Sequence, residues 1–229
     1  MRDLGNVLIT GGASGLGAAT VDAVREGGGR PLVIDRTTPP VGVEHAIADL
    51  ADSAAAHAAV VELAERVGGR LDAVFTPAGT DACGRLTDVS TEDWERVVKV
   101  NLLGTAAVVR AAMPYLERTQ GTVVTCASTL GLKAVSDATA YCASKFGVVG
   151  FTRALAAETQ GRVGVTMLVP GGMRTAFFDD RDERYKPPAN AKLNDPRNVA
   201  ETVVFALRQP PGCQVRELVV CPSVESSWP

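Results

Sequence analysis

Tyr141 and Lys145 stand four residues apart in a stretch, about Ala138 to Thr159, whose apolar residues recur at helical spacing. Residues i and i+4 of a helix share one face, a turn apart, so the phenol and the ammonium are neighbours. A free tyrosine has a pKa of about 10, too high for an efficient base at neutral pH. A nearby ammonium favours the phenolate and brings it within working range. Ser128 ends a strand-like run thirteen residues before Tyr141 and can hydrogen-bond a substrate oxygen. The set suits proton exchange with an alcohol or a carbonyl. A Tyr–Lys pair alone is more often a solvated helix face, so it needs company.

The company is a glycine-rich turn. Thr10-Gly11-Gly12-Ala13-Ser14-Gly15-Leu16-Gly17 joins a first apolar run to a helix. Glycines there permit a tight turn and bring backbone N–H groups close to a pyrophosphate at the helix N-terminus. That position between strand and helix makes a dinucleotide site the reading, with Gly11, Ser14, Gly15, Leu16 and Gly17 lining it. Asp35 ends the second apolar run, 18 residues after Gly17. A carboxylate there accepts hydrogen bonds from ribose hydroxyls and repels a 2′-phosphate, which favours NAD over NADP. Arg36 pulls the other way, because a guanidinium can bind that phosphate bidentately. The plain alternative is that Asp35 merely opens a loop.

Elements must hold these groups together. Strand-length apolar runs cover Asn6–Thr10, Pro31–Asp35, His45–Ala48, Leu71–Thr76, Thr122–Ala127, Val163–Val169 and Val215–Cys221. Helical periodicity covers about Leu16–Glu26, Asp52–Val67, Thr91–Glu117 with a break near Gly104, Ala138–Thr159 and Pro196–Arg208. This alternation predicts an α/β fold: a Rossmann-type, doubly wound parallel sheet of about seven strands with helices on both faces. One domain over residues 1–229 is expected. Between the second and third strands only about ten residues remain, including Pro39, Pro40 and Gly42. A crossover normally needs a dozen or more residues, so the helix there is expected to be lost and that side of the sheet exposed.

Composition excludes several classes of function. Hydrophobic residues make up 46% and charged residues 21%, ordinary for a globular chain. The net charge of −3 with scattered Lys and Arg argues against nucleic acid or an anionic membrane as partner. No apolar run spans a membrane and the N-terminus lacks a signal-peptide core, so a cytoplasmic location is expected. Five cysteines without CxxC spacing read as reduced thiols. With only two histidines, zinc catalysis and a Ser-His-Asp triad are poorly supported, and no metal is expected.

Together, TGxxxGxG, an Asn on the middle helix, Ser128 and YxxxK resemble the classical short-chain dehydrogenase/reductase family, in the right order and over essentially the whole chain. The resemblance implies an NAD(P)-dependent oxidoreductase moving hydride between a nicotinamide and an alcohol or carbonyl. It implies a tetrad of Asn101, Ser128, Tyr141 and Lys145. Ser128 would orient the substrate, and Tyr141 would exchange the proton. Lys145 would hold the nicotinamide ribose and lower the Tyr141 pKa, and Asn101 would position a water relaying protons through Lys145. Asp49-Leu50 matches the pair flanking adenine, and Ala78-Gly79 the turn beside the adenosine ribose. In Pro170-Gly171-Gly172-Met173-Arg174-Thr175, the Met173 backbone and the Thr175 hydroxyl would hold the carboxamide. Each of these short matches taken alone is an ordinary turn.

The chain departs from the family after the fourth strand, where Thr76-Pro77-Ala78-Gly79 replaces Asn-Asn-Ala-Gly. Pro77 has no N–H and no side-chain amide, so a sheet-bracing hydrogen bond must be missing there. A substrate loop is expected over about 172–194, mixing Phe177 and Phe178 with many charges. Ala106, Ala107, Val108, Ala111, Ala112, Phe146, Val149 and Phe151 make two helices apolar over much of their circumference, which predicts a homodimer or homotetramer. Cys126 and Cys142 read as small buried hydrophobes. Two other functions stay open: an NADPH-dependent ketone or 3-oxoacyl reductase, and a catalytically silent nucleotide-binding scaffold.

Overall fold

A computed structural model describes residues 1–228; Pro229, the last residue of the expected domain, lies outside the described residues. Seven strands, β1 (Asn6–Thr10), β2 (Arg30–Asp35), β3 (Glu44–Ile47), β4 (Ala73–Thr76), β5 (Thr122–Cys126), β6 (Gly164–Pro170) and β7 (Glu217–Val220), form one sheet. Its order is β3-β2-β1-β4-β5-β6-β7 and every pairing is parallel. The strand order reverses between β1 and β4. In such sheets ligands lie outside the carboxyl ends of the strands at that crevice.

The helices are α1 (Gly15–Glu26), α2 (Ser53–Arg66), α3 (Thr91–Val98), α4 (Thr105–Thr119), α5 (Thr139–Glu158) and α6 (Pro196–Leu207). Strand alternation sends Val7 and Ile9 to the α1/α6 face, where they meet Val21, Val24, Val203 and Leu207. Leu8 points to the opposite face and joins Val60, Leu63, Val108 and Leu116 of α2 and α4. Both faces of the sheet are thereby covered, as a parallel sheet requires.

The connection between β2 and β3, residues 36–43, carries no helix, as its length demands. Val43, 7% exposed, turns inward beside Val21 and Val33 and fills part of the space a helix would occupy. Val41 at 99% and Ile47 at 56% exposure show how open that rim is.

The expected break near Gly104 is a π-helical stretch, Lys99–Gly104, between α3 and α4. The whole run Thr91–Thr119 is long and apolar enough on composition to cross a membrane. Here its apolar side, Val97, Val108, Ala112 and Leu116, is buried in the protein core. Three strands, β4, β5 and β7, are shorter than expected: Leu71 and Asp72 precede β4 rather than belonging to it. Asp72 is buried and takes the Asn6 N–H (2.9 Å) and the Arg70 guanidinium (2.7 Å), so it anchors the strand instead of extending it.

Candidate active site

The glycine turn meets the geometric demands of a phosphate cradle. Gly11 and Gly15 have φ of +66° and +53°, in the left-handed region that disfavours side chains. A Cβ on Gly17 would fall 2.0 Å from the Gly11 carbonyl oxygen, so the first turn of α1 closes only on glycine. Ser14 occupies the N-cap, yet its hydroxyl makes no capping bond and stays exposed. An anion arriving there finds a free hydroxyl and the uncapped N–H groups of α1. A dinucleotide fits these residues.

Asp35 is half-buried at the tip of β2. Its Oδ2 accepts from Ala13 N (2.9 Å), and its Oδ1 from Thr37 N (3.0 Å) and Thr37 Oγ1 (3.1 Å). The carboxylate therefore braces the cradle while remaining in the cleft wall. Arg36 is exposed at the same end. Asp49 lies near it and is bound by Arg96 (2.9 Å) and by Ala51 N (2.9 Å). Those bonds and the two guanidiniums hold its carboxyl below the usual range, against a smaller opposing effect of burial.

Ser128 lies two residues beyond β5 and is 8% exposed. It caps a 3-10 turn, Thr129–Gly131, that sequence periodicity does not reveal; its Oγ accepts from Leu130 N (3.1 Å), leaving its proton to donate elsewhere. A Cβ on Gly131 would come 2.8 Å from the Lys145 carbonyl oxygen, so glycine lets this turn press against α5. Lys145 is buried, its Nζ donating to the Cys126 carbonyl (2.8 Å) and lying 5.6 Å from the Tyr141 ring centre. Desolvation lowers the Lys145 pKa.

Two details differ from expectation. The Tyr141 pKa is raised, not lowered: desolvation in the cleft is the largest effect, and the opposing influence of the Ser128 hydroxyl is smaller. The Lys145 ammonium gives one of its three N–H donors to the Cys126 carbonyl. Asn101 is 1% exposed and makes three side-chain bonds: its Oδ1 accepts from Thr80 N (2.8 Å), and its Nδ2 donates to Thr80 O (2.9 Å) and Ser144 Oγ (3.0 Å). Its backbone carbonyl takes the Thr105 hydroxyl (2.9 Å). In this arrangement Asn101 ties the π-helical turn to the loop after β4 and to α5.

That loop is Thr76-Pro77-Ala78-Gly79. Thr76 Oγ1 is buried with no partner among the described residues. The brace to β1 is recovered one residue on, where Ala78 N donates to Thr10 Oγ1 (3.2 Å). Gly79 lies against the tetrad: a Cβ there would be 3.3 Å from Asn101 Oδ1 and 3.8 Å from Lys145 Nζ.

On the other wall, Met173 forms a bridge with Asn194 in which Arg174 N donates to Asn194 O (2.8 Å) and Asn194 N to Gly172 O (2.9 Å). That pattern leaves the N–H and C=O of Met173 itself pointing the opposite way. Thr175 caps a second 3-10 turn, Ala176–Phe178, and its methyl side lies 3.5 Å from the Cβ position of Gly15. The segment thus closes over the cradle. Beyond it Phe177 tilts against Tyr141 (ring centres 5.8 Å apart), and Arg181 stacks on Phe177 and Phe178 and pairs with Asp81 (2.6 Å).

Asp81, Arg181 and Glu225 are site residues that carry no sequence signal, since their partners are remote along the chain. Cys83 donates to Asp81 (3.3 Å), and burial followed by that carboxylate pushes its thiol up to about 12. Cys126 and Cys142 are buried, as expected. Cradle, tetrad and loop enclose one cleft of about 1390 Å³, room for a dinucleotide and a small substrate together.

Known proteins resemble this chain in sequence and in fold. The short chain dehydrogenase family model matches residues 5–186. An uncharacterised oxidoreductase of Staphylococcus aureus strain MW2 is 30% identical over 227 residues, 94% of this chain and 96% of the relative. A short-chain dehydrogenase/reductase of Penicillium canescens is 28% identical over 226 residues, 87% and 88% of the two chains. Levodione reductase superposes with a TM-score of 0.85 at 26% identity, covering 96% of each chain. An alcohol dehydrogenase of Thermococcus sibiricus, solved with 5-hydroxy-NADP, has a TM-score of 0.83 at 24% identity over 94% of this chain and 95% of its own, a likeness of fold. The chain belongs to the short-chain dehydrogenase family, and it is an oxidoreductase of the nicotinamide-dependent kind.

Proposed function

We propose that this enzyme interconverts a small, uncharged alcohol and its carbonyl compound, with NAD(H) as the preferred cofactor. The observation that carries the reading is the convergence of Ser128, Tyr141 and Lys145 at the floor of a cleft whose far end is the glycine cradle. When bound, the dinucleotide supplies or accepts the hydride. Ser128, its oxygen satisfied by Leu130 N, donates its proton to the substrate oxygen and orients it. Tyr141 gives that oxygen a proton in reduction and takes it back in oxidation. Lys145 is placed to meet the nicotinamide ribose. Asn101 holds the surrounding loops. Phe177 beside Tyr141 favours an apolar substrate body.

Residues that would hold the dinucleotide are those of the cradle, Gly11, Ser14, Gly15, Leu16 and Gly17, with Asp35 at the ribose and Asp49-Leu50 at adenine. Ala78 and Gly79 flank the ribose side, and Pro170, Gly171, Met173 and Thr175 the carboxamide. NAD is supported by Asp35, whose fixed carboxylate would repel a 2′-phosphate. Arg36, exposed at the same rim, supports the second reading of an NADPH-dependent ketone or 3-oxoacyl reductase. Leu103 at 49% and Phe146 at 44% exposure support a homodimer or homotetramer, checked by sedimentation at micromolar concentration. The function is tested by Tyr141→Phe with a panel of aldehydes and ketones. Turnover should fall by about 10²–10⁴ while NADH still binds. Inactivity of the wild type despite tight NADH binding would instead leave a nucleotide-binding scaffold.

A further inference from the structure

The segment after β7 does not leave the molecule at the sheet edge. It turns back over the mouth of the cleft, where Val224, Glu225, Ser226 and Ser227 form part of the wall. The half-buried Glu225 spans the space between two catalytic flanks. Its Oε2 accepts from Gly172 N (2.9 Å), and its Oε1 from Ser227 N (3.0 Å) and Ser227 Oγ (2.7 Å). Because the single Ser227 hydroxyl proton goes to Glu225, the 2.7 Å contact between Ser227 Oγ and Thr129 Oγ1 has Thr129 as donor. The chain therefore runs Thr129 hydroxyl to Ser227 hydroxyl to Glu225 carboxylate, which also takes Gly172 N–H. Bonds aligned in this way polarise and strengthen one another.

We propose that this strap is a positioning device for the nicotinamide end of the cofactor site, with Glu225 as its central positioning residue. The proposal rests on the reading that Met173 and Thr175 hold the carboxamide. Gly172 has both backbone groups fixed, its N–H by Glu225 and its carbonyl by Asn194 N (2.9 Å). Fixing the Gly172 carbonyl orients the Met173 N–H in the same peptide, and the bond from Arg174 N to Asn194 O (2.8 Å) orients the Met173 C=O in the following one, so both groups face away from Asn194. The other end of the strap grips Thr129, 2% exposed and adjacent to Ser128. Lys133 Nζ, donating to Ser226 O (3.1 Å), holds the strap from outside. Close approach is built into the sequence, since a Cβ on Gly171 would lie 2.3 Å from Glu225 Oε2 and 3.1 Å from Pro222 Cδ. Burial would raise the Glu225 pKa, but the bonds from Gly172 and Ser227 outweigh it and hold the carboxyl below its ordinary range.

The test separates the two halves of the cofactor. Affinities for NADH, NADPH and ADP-ribose are measured by titration for the wild type, Glu225→Ala, Glu225→Gln and Ser227→Ala, alongside thermal unfolding. ADP-ribose lacks the nicotinamide and reports only the cradle. Expected is a loss of about tenfold or more in affinity for the preferred dinucleotide in Glu225→Ala, with ADP-ribose unchanged. Glu225→Gln keeps one acceptor for Gly172 N–H and should recover part of the loss; Ser227→Ala should lose less than Glu225→Ala. Equal weakening of the dinucleotide and ADP-ribose, in all variants that fold, would make the strap merely structural and overturn the proposal. Wild-type affinities in every variant would overturn it while leaving the proposed function intact. A wild type that binds neither NADH nor NADPH would overturn both.

Discussion

The Arg181 guanidinium lies 2.6 Å from the Asp81 carboxylate although 100 residues separate them, and the contact ties the loop proposed to cover the substrate to the turn after β4. Asp81 also accepts from Ala82 N and the Cys83 thiol, so the acceptor is held by its own turn. Asp81→Asn is expected to raise the substrate KM about tenfold with little change in NADH affinity. An Asp81→Asn, Arg181→Gln double variant should be scarcely worse than either single change, because both remove one interaction. Additive losses in kcat/KM across that cycle would show that the two residues act separately.

The raised Tyr141 pKa fixes the sign of the pH dependence. Reduction needs the phenol protonated, which desolvation preserves to higher pH than in free tyrosine. Carbonyl reduction should therefore stay nearly level between about pH 6 and about pH 9, while alcohol oxidation climbs over the same interval. A reduction rate collapsing near neutral pH would contradict this assignment of the acid.

Gly17→Ala places a methyl against the Gly11 carbonyl oxygen, a contact the backbone must yield to. Overpacking of this kind costs about 1–3 kcal/mol, here at the turn proposed to cradle the pyrophosphate. Calorimetry should show a lowered Tm together with loss of NADH binding.

Asp35→Ala removes the carboxylate proposed to meet the ribose hydroxyls but leaves Arg36 in place. The ratio of NADPH to NADH affinity should rise about tenfold or more, even though loss of the bond to Ala13 N weakens both. An unchanged ratio would move cofactor selection away from Asp35.

Much of the arrangement was legible in the chain because its signals are local. The cradle, the Tyr141–Lys145 spacing and the seven apolar runs each depend on residues a few positions apart, and periodicity alone orders them into a parallel sheet. The missing helix between β2 and β3 was legible too, from chain length and Pro39-Pro40. What escaped depends on partners far along the chain. Nothing near Arg181 announces Asp81, and nothing near Glu225 announces Gly172. The state of Tyr141 likewise follows from how deeply it is enclosed, which no spacing records. Asn101 is legible only through the family resemblance, and its bonds to Thr80 and Ser144 are a tertiary fact.

The π-helical turn at Lys99–Gly104 has a consequence for which changes this chain tolerates. A π turn holds one more residue than the α turn it replaces. Deleting any residue within it would convert the run from Thr91 to Thr119 into continuous α-helix and shift the phase of everything on one side by about 100°. Asn101 would then swing off Thr80 and Ser144, while the apolar stripe of α4 turned away from the sheet. The extra residue is thus a phase offset between two helices, and the tetrad and the core must keep it together or lose it together.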